Sequence, residues 1–291
     1  MKNTLTPEET RKLQQISLAM LLYFDTFCRE SGLTYYLCGG GCIGAVRTGG
    51  FIPWDDDVDV FMPRTDYERL KSVWRDTCAY ALQYPTPERP TANQFMTVSA
   101  EQTTFIKTYQ KELDIRHGIM LDILPLDGCP KGFARKRQKL DALLYSLFVV
   151  GKAPKNHGKL VYAGGKLLLA LVPRRRWAKV WQRHERRMTR WPIQGCDRIT
   201  ELCSGPKYMQ NEYPKACFEK AVLLPFEGHM LPLPGDWDTY LRMAFGNYRQ
   251  LPPESDRVCH HEYELLDTEN GYLKYRGIYY CTAAAPDAKE G

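Results

Sequence analysis

The chain has 291 residues with 44% hydrophobic, 25% charged and 12% aromatic side chains, a composition that excludes a fibrous, collagen-like or wholly disordered protein. The net charge of +6 is uneven: residues 131–190 hold 17 Lys and Arg against two Asp and Glu, so the rest of the chain carries −9. A mean hydropathy of −0.45 and the lack of an uncharged apolar run of about 18 residues argue against a transmembrane helix.

The first predicted element is a long N-terminal helix. Thr6 can cap it, Pro7 suits its first turn, and Glu9 stands three residues after the cap. Apolar residues then recur at spacings of three and four, which gives the helix one apolar face. Gly32 is the expected end of the helix.

Short elements follow up to residue 74. A strand is predicted over residues 34–38, and three glycines, Gly39 to Gly41, end it with a turn. A short helix is predicted over residues 42–47. From Asp57 to Met62 acidic and apolar residues alternate with a period of two, so Asp57 and Asp59 should share one face of a strand. A helix is predicted over residues 66–74.

Two further strands are predicted at residues 103–110 and 118–124. The second is almost continuously apolar and is interrupted by Asp122. This pattern is typical of a buried strand that carries one functional carboxylate. Residues 131–190 are predicted to be helical and basic, with apolar stripes at 140–150 and 160–172. Gly164 and Gly165 weaken the second stripe as a helix.

The remaining region is mixed, with a short helix near residues 236–243. We therefore divide the chain into four parts. These are residues 1–130 as a catalytic core, 131–192 as a basic helical insertion, 193–281 as the C-terminal part of the catalytic domain, and 282–291 as a flexible tail.

Cysteine use and the N-terminal residues predict a cytoplasmic location. The ten cysteines are scattered without a Cys-x-x-Cys pair, so we expect reduced thiols. Apolar residues 16–24 follow acidic residues rather than a basic segment, so no signal peptide is expected. Cys259, His260 and His261 are adjacent, but a zinc site would need a second ligand pair that the sequence lacks.

The glycine triplet and the acidic strand together indicate a phosphate-handling metal site. Asp55, Asp56, Asp57 and Asp59 repel one another, and a divalent cation would offset this repulsion. Mg²⁺ prefers a few carboxylates together with substrate phosphates. A glycine-rich turn that leads into a helix presents N–H groups to phosphate.

Other interpretations fit the residues less well. An EF-hand needs Gly and Glu where Val60 and Asp66 stand, and a Walker loop needs Ser or Thr where Leu167 stands. A solvated acidic strand and a flexible glycine turn remain the structural alternatives. Val58 and Phe61 argue against the first of these, because they are apolar.

These residues resemble the LicD family, which includes bacterial phosphorylcholine transferases and fukutin-related proteins. The matching segments are residues 40–47, 51–60, 62–64, 121–127, 226–228, 231–234 and 240–253. The resemblance implies an α+β, nucleotidyltransferase-like fold of the polymerase β superfamily, with a mixed sheet flanked by helices. The basic helical insertion carries no motif of the family.

The resemblance also implies the site residues. Asp57, Asp59 and Asp122 match the catalytic acids that bind Mg²⁺ or Mn²⁺, and Gly40 and Gly41 match the phosphate-binding turn. Gly41 stands where the family usually has Thr or Ser, which removes a hydroxyl contact to phosphate.

Three more residues are candidates for substrate binding. Arg47 follows the phosphate turn and is expected to contact the diphosphate, with a surface ion pair as the alternative. Glu227 and His260 are candidates for donor or acceptor binding, and a structural hydrogen-bonding role is the alternative for His260. His261 is the other position at which the family histidine could stand.

The implied function is metal-dependent transfer of a phospho-alcohol group to a hydroxyl of a cell-surface glycan or its lipid-linked precursor, with phosphocholine from CDP-choline as the leading donor. Another CDP-alcohol, carrying ribitol or glycerol, is the first alternative. A nucleotidyltransferase that moves NMP to a small molecule or RNA, and a non-catalytic phosphate- or metal-binding module, are the others.

The basic segment suggests a further partner. Two apolar stripes bordered by Lys and Arg fit a pair of helices at an anionic membrane surface, which would place the protein peripherally on the inner leaflet of the cell membrane. A helical subdomain packed on the core is the alternative. No nucleic acid is expected, because the segment has too few aromatic residues for base stacking.

Overall fold

The computed structural model describes residues 5–91, 93–154, 158–259 and 261–282. Helices flank a mixed seven-stranded sheet, so the predicted α+β class is confirmed. The predicted flexible tail lies, from residue 283 onward, outside the described residues.

The N-terminal helix α1 (Pro7–Ser31) begins and ends where the sequence predicts. The Thr6 hydroxyl accepts a hydrogen bond from the Glu9 N–H at 3.2 Å, and the Glu9 carboxylate accepts one from the Thr6 N–H at 2.8 Å. Gly32 ends the helix with φ of 61°, a left-handed conformation that favours glycine. The apolar face of α1 packs into the main core.

The main sheet has β6 at its centre. Its strands are β1 (Tyr36–Leu37), β2 (Val58–Pro63), β3 (Tyr80–Gln83), β4 (Met96–Ala100), β6 (Ile119–Cys129), β7 (Arg198–Glu201) and β8 (Tyr213–Pro214). The order is β1-β2-β6-β4-β3, while β7 pairs with the end of β6 and with β8. Only β2 and β6 run parallel; the other pairs of this sheet are antiparallel.

Two small sheets stand beside the main one. Strand β5 (Thr104–Lys107) pairs antiparallel with β11 (Tyr263–Asp267), and β9 (Ala221–Phe226) forms a hairpin with β10 (His229–Pro234). The predicted strand 103–110 is therefore too long, because the chain turns into a 3-10 helix after Lys107. The predicted strand 118–124 is too short, because pairing with β7 extends β6 to Cys129.

The glycine triplet belongs to a helix rather than to a turn before it. Helix α2 (Gly39–Thr48) starts at the first glycine, so the prediction of a helix confined to residues 42–47 is wrong at its beginning. Helices α3 (Arg64–Val73) and α7 (Trp237–Phe245) lie close to their predicted positions. The predicted strand 34–38 shrinks to the two residues of β1.

The described part of the basic segment forms three α-helices: α4 (Gly132–Val150), α5 (Lys159–Leu171) and α6 (Trp177–Met188). They contribute to a hydrophobic cluster that is separate from the main core. The stripe predicted at 140–150 is largely buried, because Tyr145 and Phe148 of α4 pack with Trp181 of α6. Helix α5 runs unbroken through its glycine pair. Gly165 allows a close approach, since a Cβ there would lie 3.1 Å from the Ala153 Cβ.

The second apolar stripe stays exposed. On α5, Leu160 is 89% and Leu171 68% exposed. Within the described ranges, no helix is both long and apolar enough to cross a membrane, as the composition predicts.

Candidate active site

The site lies where β2 and β6 run side by side. Asp59 of β2 stands opposite Asp122 of β6 in the parallel register, so the two side chains share one face of the sheet. Asp57 comes one residue before β2 and lies two positions before Asp59. The three predicted acids are partly buried, and the charges of Asp57 and Asp122 act on Asp59.

Burial and mutual repulsion disfavour the ionised form of these acids. Burial, with the charges of Asp57 and Asp122, raises the pKa of Asp59 well above its ordinary value. Burial and the neighbouring acids do the same to the pKa of Asp55. Asp122 Oδ1 is buried and, among the described residues, has no hydrogen-bond partner. These hard oxygen donors fit a divalent cation such as Mg²⁺ or Mn²⁺.

Asp56 differs from its neighbours. Its Oδ2 lies 3.1 Å from His261 Nδ1 and 2.7 Å from the Cys259 Sγ, which donates to it. Burial alone would raise the pKa of Asp56, but the hydrogen bonds that it accepts from His261 and Cys259 lower this pKa to about 2. Asp56 is therefore held by Cys259 and His261.

A second possible metal site shares Asp57 with the cluster of Asp57, Asp59 and Asp122. One ligand atom each from Asp56, Asp57 and His261 lie within 4.8 Å of one another, the only triplet of possible metal ligands at this spacing in the described part of the chain. Asp59 and Asp122 do not belong to such a triplet. The metal could therefore be held by Asp57, Asp59 and Asp122, or closer to His261.

Lys107 helps to decide between the two sets. Its Nζ lies 3.4 Å from His261 Nε2. Because an ammonium can only donate, Nε2 is the acceptor and Nδ1 carries the hydrogen toward Asp56. In this arrangement both ring nitrogens of His261 have hydrogen-bond partners, so neither has a lone pair available for a metal ion. The oxygen-only set of Asp57, Asp59 and Asp122 is therefore the more available ligand set.

The sequence interpretation missed Lys107. It ends β5, is buried, and stands opposite Tyr263 of β11, which brings the segment of His261 to the acids. Burial opposes its charge, but Asp122 and other nearby groups raise the pKa of Lys107 above its ordinary value. In the sequence, the feature that could have indicated this role is a single lysine at the end of an otherwise uncharged strand.

The first turn of α2 faces the acid cluster. Gly39 has φ of 55°, and a Cβ there would lie 3.3 Å from Asp59 Oδ2. A Cβ on Gly40 would lie only 1.9 Å from Asp55 Oδ2. The amides of a first helical turn have no earlier carbonyl to bond, so this end can receive an anion. Gly39 already donates to the Tyr240 hydroxyl at 3.0 Å.

Residues 32–129 match the family model described as LicD/FKTN/FKRP, nucleotidyltransferase domain. This region of the chain is therefore similar to the LicD family. The resemblance predicted from the sequence is thereby confirmed, and the matched range contains α2, β2 and the acid-bearing part of β6. The chain is also similar to the lipopolysaccharide cholinephosphotransferase LicD of Haemophilus influenzae, with 27% identity over 262 residues that cover 86% of this chain and 95% of that protein.

Two of the predicted substrate-binding residues, Gly41 and Arg47, are not aimed at the acid cluster. Gly41 is buried, and a Cβ there would contact Leu37 and Val58 of the core. Arg47 lies in the last turn of α2, about 10 Å along the helix axis from Gly40 by the usual rise per residue. Its Nη2 donates to the Tyr248 carbonyl at 2.7 Å.

Glu227 fixes the loop that leads to the LicD acid motif. Its carboxylate accepts from the Phe51 N–H at 3.1 Å and pairs with Arg11 at 2.7 Å. The structure thus gives Glu227 a positioning role away from the acids. The predicted substrate-binding residue His260 lies outside the described residues.

Proposed function

We propose that the protein is a phosphotransferase of the LicD type, which transfers phosphocholine from CDP-choline to a hydroxyl of a glycan or its lipid-linked precursor. The observation that carries the proposal is the cluster of Asp57, Asp59 and Asp122 opposite the first turn of α2. Similarity to a lipopolysaccharide cholinephosphotransferase supports the choice of donor and acceptor.

The proposal includes a nucleotidyltransferase-like fold of the polymerase β superfamily. The parallel pair β2–β6, with an acid on each strand, and a glycine-rich helix start beside it are the features in favour. The matched family model, whose description includes a nucleotidyltransferase domain, covers this part of the chain.

In this proposal the diphosphate of the donor lies between α2 and the acids. Amides of the first turn of α2 donate to phosphate oxygens. Asp57, Asp59 and Asp122 would hold Mg²⁺ or Mn²⁺, which would neutralise charge on the diphosphate. Lys107 keeps a positive charge beside Asp122.

The chemical step exchanges one P–O bond for another. The acceptor hydroxyl attacks the phosphorus that carries the alcohol, the bond from that phosphorus to the CMP oxygen breaks, and CMP leaves. Asp122, with one buried oxygen unpartnered in the described structure, is the proposed acceptor of the hydroxyl proton.

Donor screening tests this function. Purified protein is incubated with a lipopolysaccharide acceptor, Mg²⁺, and CDP-choline, CDP-ribitol or CDP-glycerol, and released CMP is measured. We expect CMP release that is greatest with CDP-choline and is abolished by a chelator. Greatest turnover of another CDP-alcohol would reassign the donor. Release of pyrophosphate from a nucleoside triphosphate, with no CMP from any CDP-alcohol, would favour the nucleotidyltransferase alternative.

We further propose that the protein works in the cytoplasm at the inner leaflet of the cell membrane. The exposed apolar residues of α5 stand next in sequence to Arg174, Arg175 and Arg176, which are also exposed. Exposed leucines beside arginines match the apolar and anionic layers of a membrane surface. A lipid-linked acceptor would give this attachment a purpose.

Vesicle sedimentation tests the attachment. Wild-type protein should sediment with vesicles that contain phosphatidylglycerol, less so at high salt and less with phosphatidylcholine alone. The double change Leu160→Ser and Leu171→Ser should weaken this binding by about 10-fold or more, because two exposed leucines can no longer enter the membrane. Leu273→Ser, at a leucine that is 70% exposed elsewhere, is the control. Binding that is absent, or indifferent to the α5 change, would contradict the proposal.

A further inference from the structure

A cavity of about 200 Å³ opens beside the candidate active site. Gly39, Gly40 and Asp59 form one part of its wall, so it is continuous with the proposed position of the donor diphosphate. Half of the other ten lining residues are aromatic. The aromatic residues are Phe61, Tyr208, Tyr213, Tyr240 and Phe245.

The rings form a connected group around Tyr240. The ring centroid of Tyr240 lies 5.3 Å from that of Tyr213 and 6.4 Å from that of Phe245, with interplanar angles of 73° and 82°. Phe245 is in turn 6.1 Å from Tyr208. Because the Tyr240 hydroxyl accepts from the Gly39 N–H, the group is fixed relative to the first turn of α2.

One buried carboxylate, that of Glu201, lies in the same wall. Glu201 is 2% exposed, and its Oε1 accepts from the N–H groups of Cys203 and Ser204. Its Oε2 is buried and has no hydrogen-bond partner among the described residues. Burial raises the pKa of Glu201 to about 7, although the two amides oppose this. The guanidinium of Arg64 is paired with Asp127 at 2.7 Å and is not a counter-ion for Glu201.

We propose that this cavity receives the quaternary ammonium head of the donor, with the aromatic rings facing its methyl groups and Glu201 supplying the opposite charge. The inference rests on the proposed phosphotransferase function and adds the determinant of its alcohol specificity. A bound cation would compensate for this buried carboxylate, which forms no ion pair with any residue that the structure describes, and aromatic faces attract such a cation.

The hydrogen-bonding capacity of the cavity favours a quaternary ammonium over a polyol. The Tyr240 hydroxyl is engaged with Gly39, and the Tyr213 hydroxyl accepts from Asn211 Nδ2 at 2.9 Å. Glu201 Oε2 could accept from one hydroxyl of ribitol or glycerol, but their other hydroxyl groups would lose water and meet ring faces, which is costly. A quaternary ammonium has no N–H, so it needs charge and ring contact rather than hydrogen-bond partners.

Binding measurements separate this inference from the function on which it rests. CDP-choline and CDP-glycerol are titrated calorimetrically, with Mg²⁺ present, into wild-type protein, Glu201→Gln and Tyr208→Leu. Gln retains an oxygen for the two amides, and Tyr208 is only partly buried, so both variants should fold. Each should bind CDP-choline roughly 10-fold more weakly than wild type, with CDP-glycerol binding changed less than about twofold.

Matched changes elsewhere serve as controls. Glu30→Gln removes an exposed carboxylate and Tyr279→Leu removes a ring that is 43% exposed; neither residue lines the cavity. Both should bind CDP-choline like wild type. Thermal denaturation of every variant shows whether it is folded.

The possible outcomes differ for the two claims. Equal binding of both donors by wild type, or equal losses of both donors in the folded cavity variants, would overturn the assignment of the cavity and leave the transferase function standing. Failure of wild-type protein to bind either donor would overturn the proposed function itself. Selective loss of CDP-choline binding supports both.

Discussion

Asparagine in place of Asp59 should reduce metal-dependent CMP release from CDP-choline by at least about 100-fold, the scale of losing one major electrostatic contact in an active site. Asp59 faces Asp122 across the parallel strands and lies against Gly39, so its carboxylate touches both halves of the proposed site. Steady-state assays at saturating Mg²⁺ measure the loss.

The same variant should remain folded. The pKa of Asp59 is raised in the native state, mainly by burial, so at neutral pH its ionised form destabilises the fold. This penalty is full above the folded-state pKa and disappears below the unfolded-state pKa. The urea midpoint of Asp59→Asn at pH 7 should therefore equal or exceed that of wild type. Asp197→Asn, at an exposed acid, is the control. Activity of Asp59→Asn within about twofold of wild type would contradict the proposed role.

Alanine at Gly40 should also nearly abolish activity, whereas alanine at Gly41 should not. A Cβ on Gly40 would overlap Asp55 Oδ2 at 1.9 Å, so the Asp55 carboxylate must move away from the first turn of α2 and disturb the acid cluster. A displacement of about 1 Å in an active site can cost about 100-fold in rate. The same assay of CMP release compares the two variants.

The neighbouring glycine provides the matched control. A Cβ on Gly41 would make ordinary contacts, 3.6 Å from Leu37 and 3.9 Å from Val58. Alanine is also the better helix former, by roughly 0.5–1 kcal/mol in a helix interior. Gly41→Ala should thus keep most activity and the thermal stability of wild type. Equal losses of activity in both variants would show that contact with Asp55 is not what requires Gly40.

Local sequence patterns predicted the elements whose structure depends on nearby residues. The capping box of α1 and its glycine end lie within the helix and its flanking residues, so they could be located without tertiary information. Alternation of acidic and apolar residues likewise located β2. The family resemblance then identified Asp122 as the partner of Asp59, which the strand register places opposite it.

Elements that depend on distant pairing were predicted less well. The end of β6 is extended by β7, about 70 residues later along the chain, and no local pattern shows this. The same reason explains why Lys107, the contact of His261 with Asp56 and the aromatic cavity were not predicted. Antiparallel pairing of β5 with β11 brings Lys107 and His261 together, and α7 and the loops after β7 line the cavity. The predicted domain boundaries and the catalytic roles of the acids stay predictions.

The position of the metal is tested most directly by titration with Mn²⁺, followed by the electron paramagnetic resonance of the free ion. Wild-type protein should bind Mn²⁺, and Asp59→Asn and Asp122→Asn should each weaken binding by at least about 10-fold. Unchanged binding in both variants, with loss in His261→Ala, would place the ion at Asp56, Asp57 and His261 and contradict the proposed site.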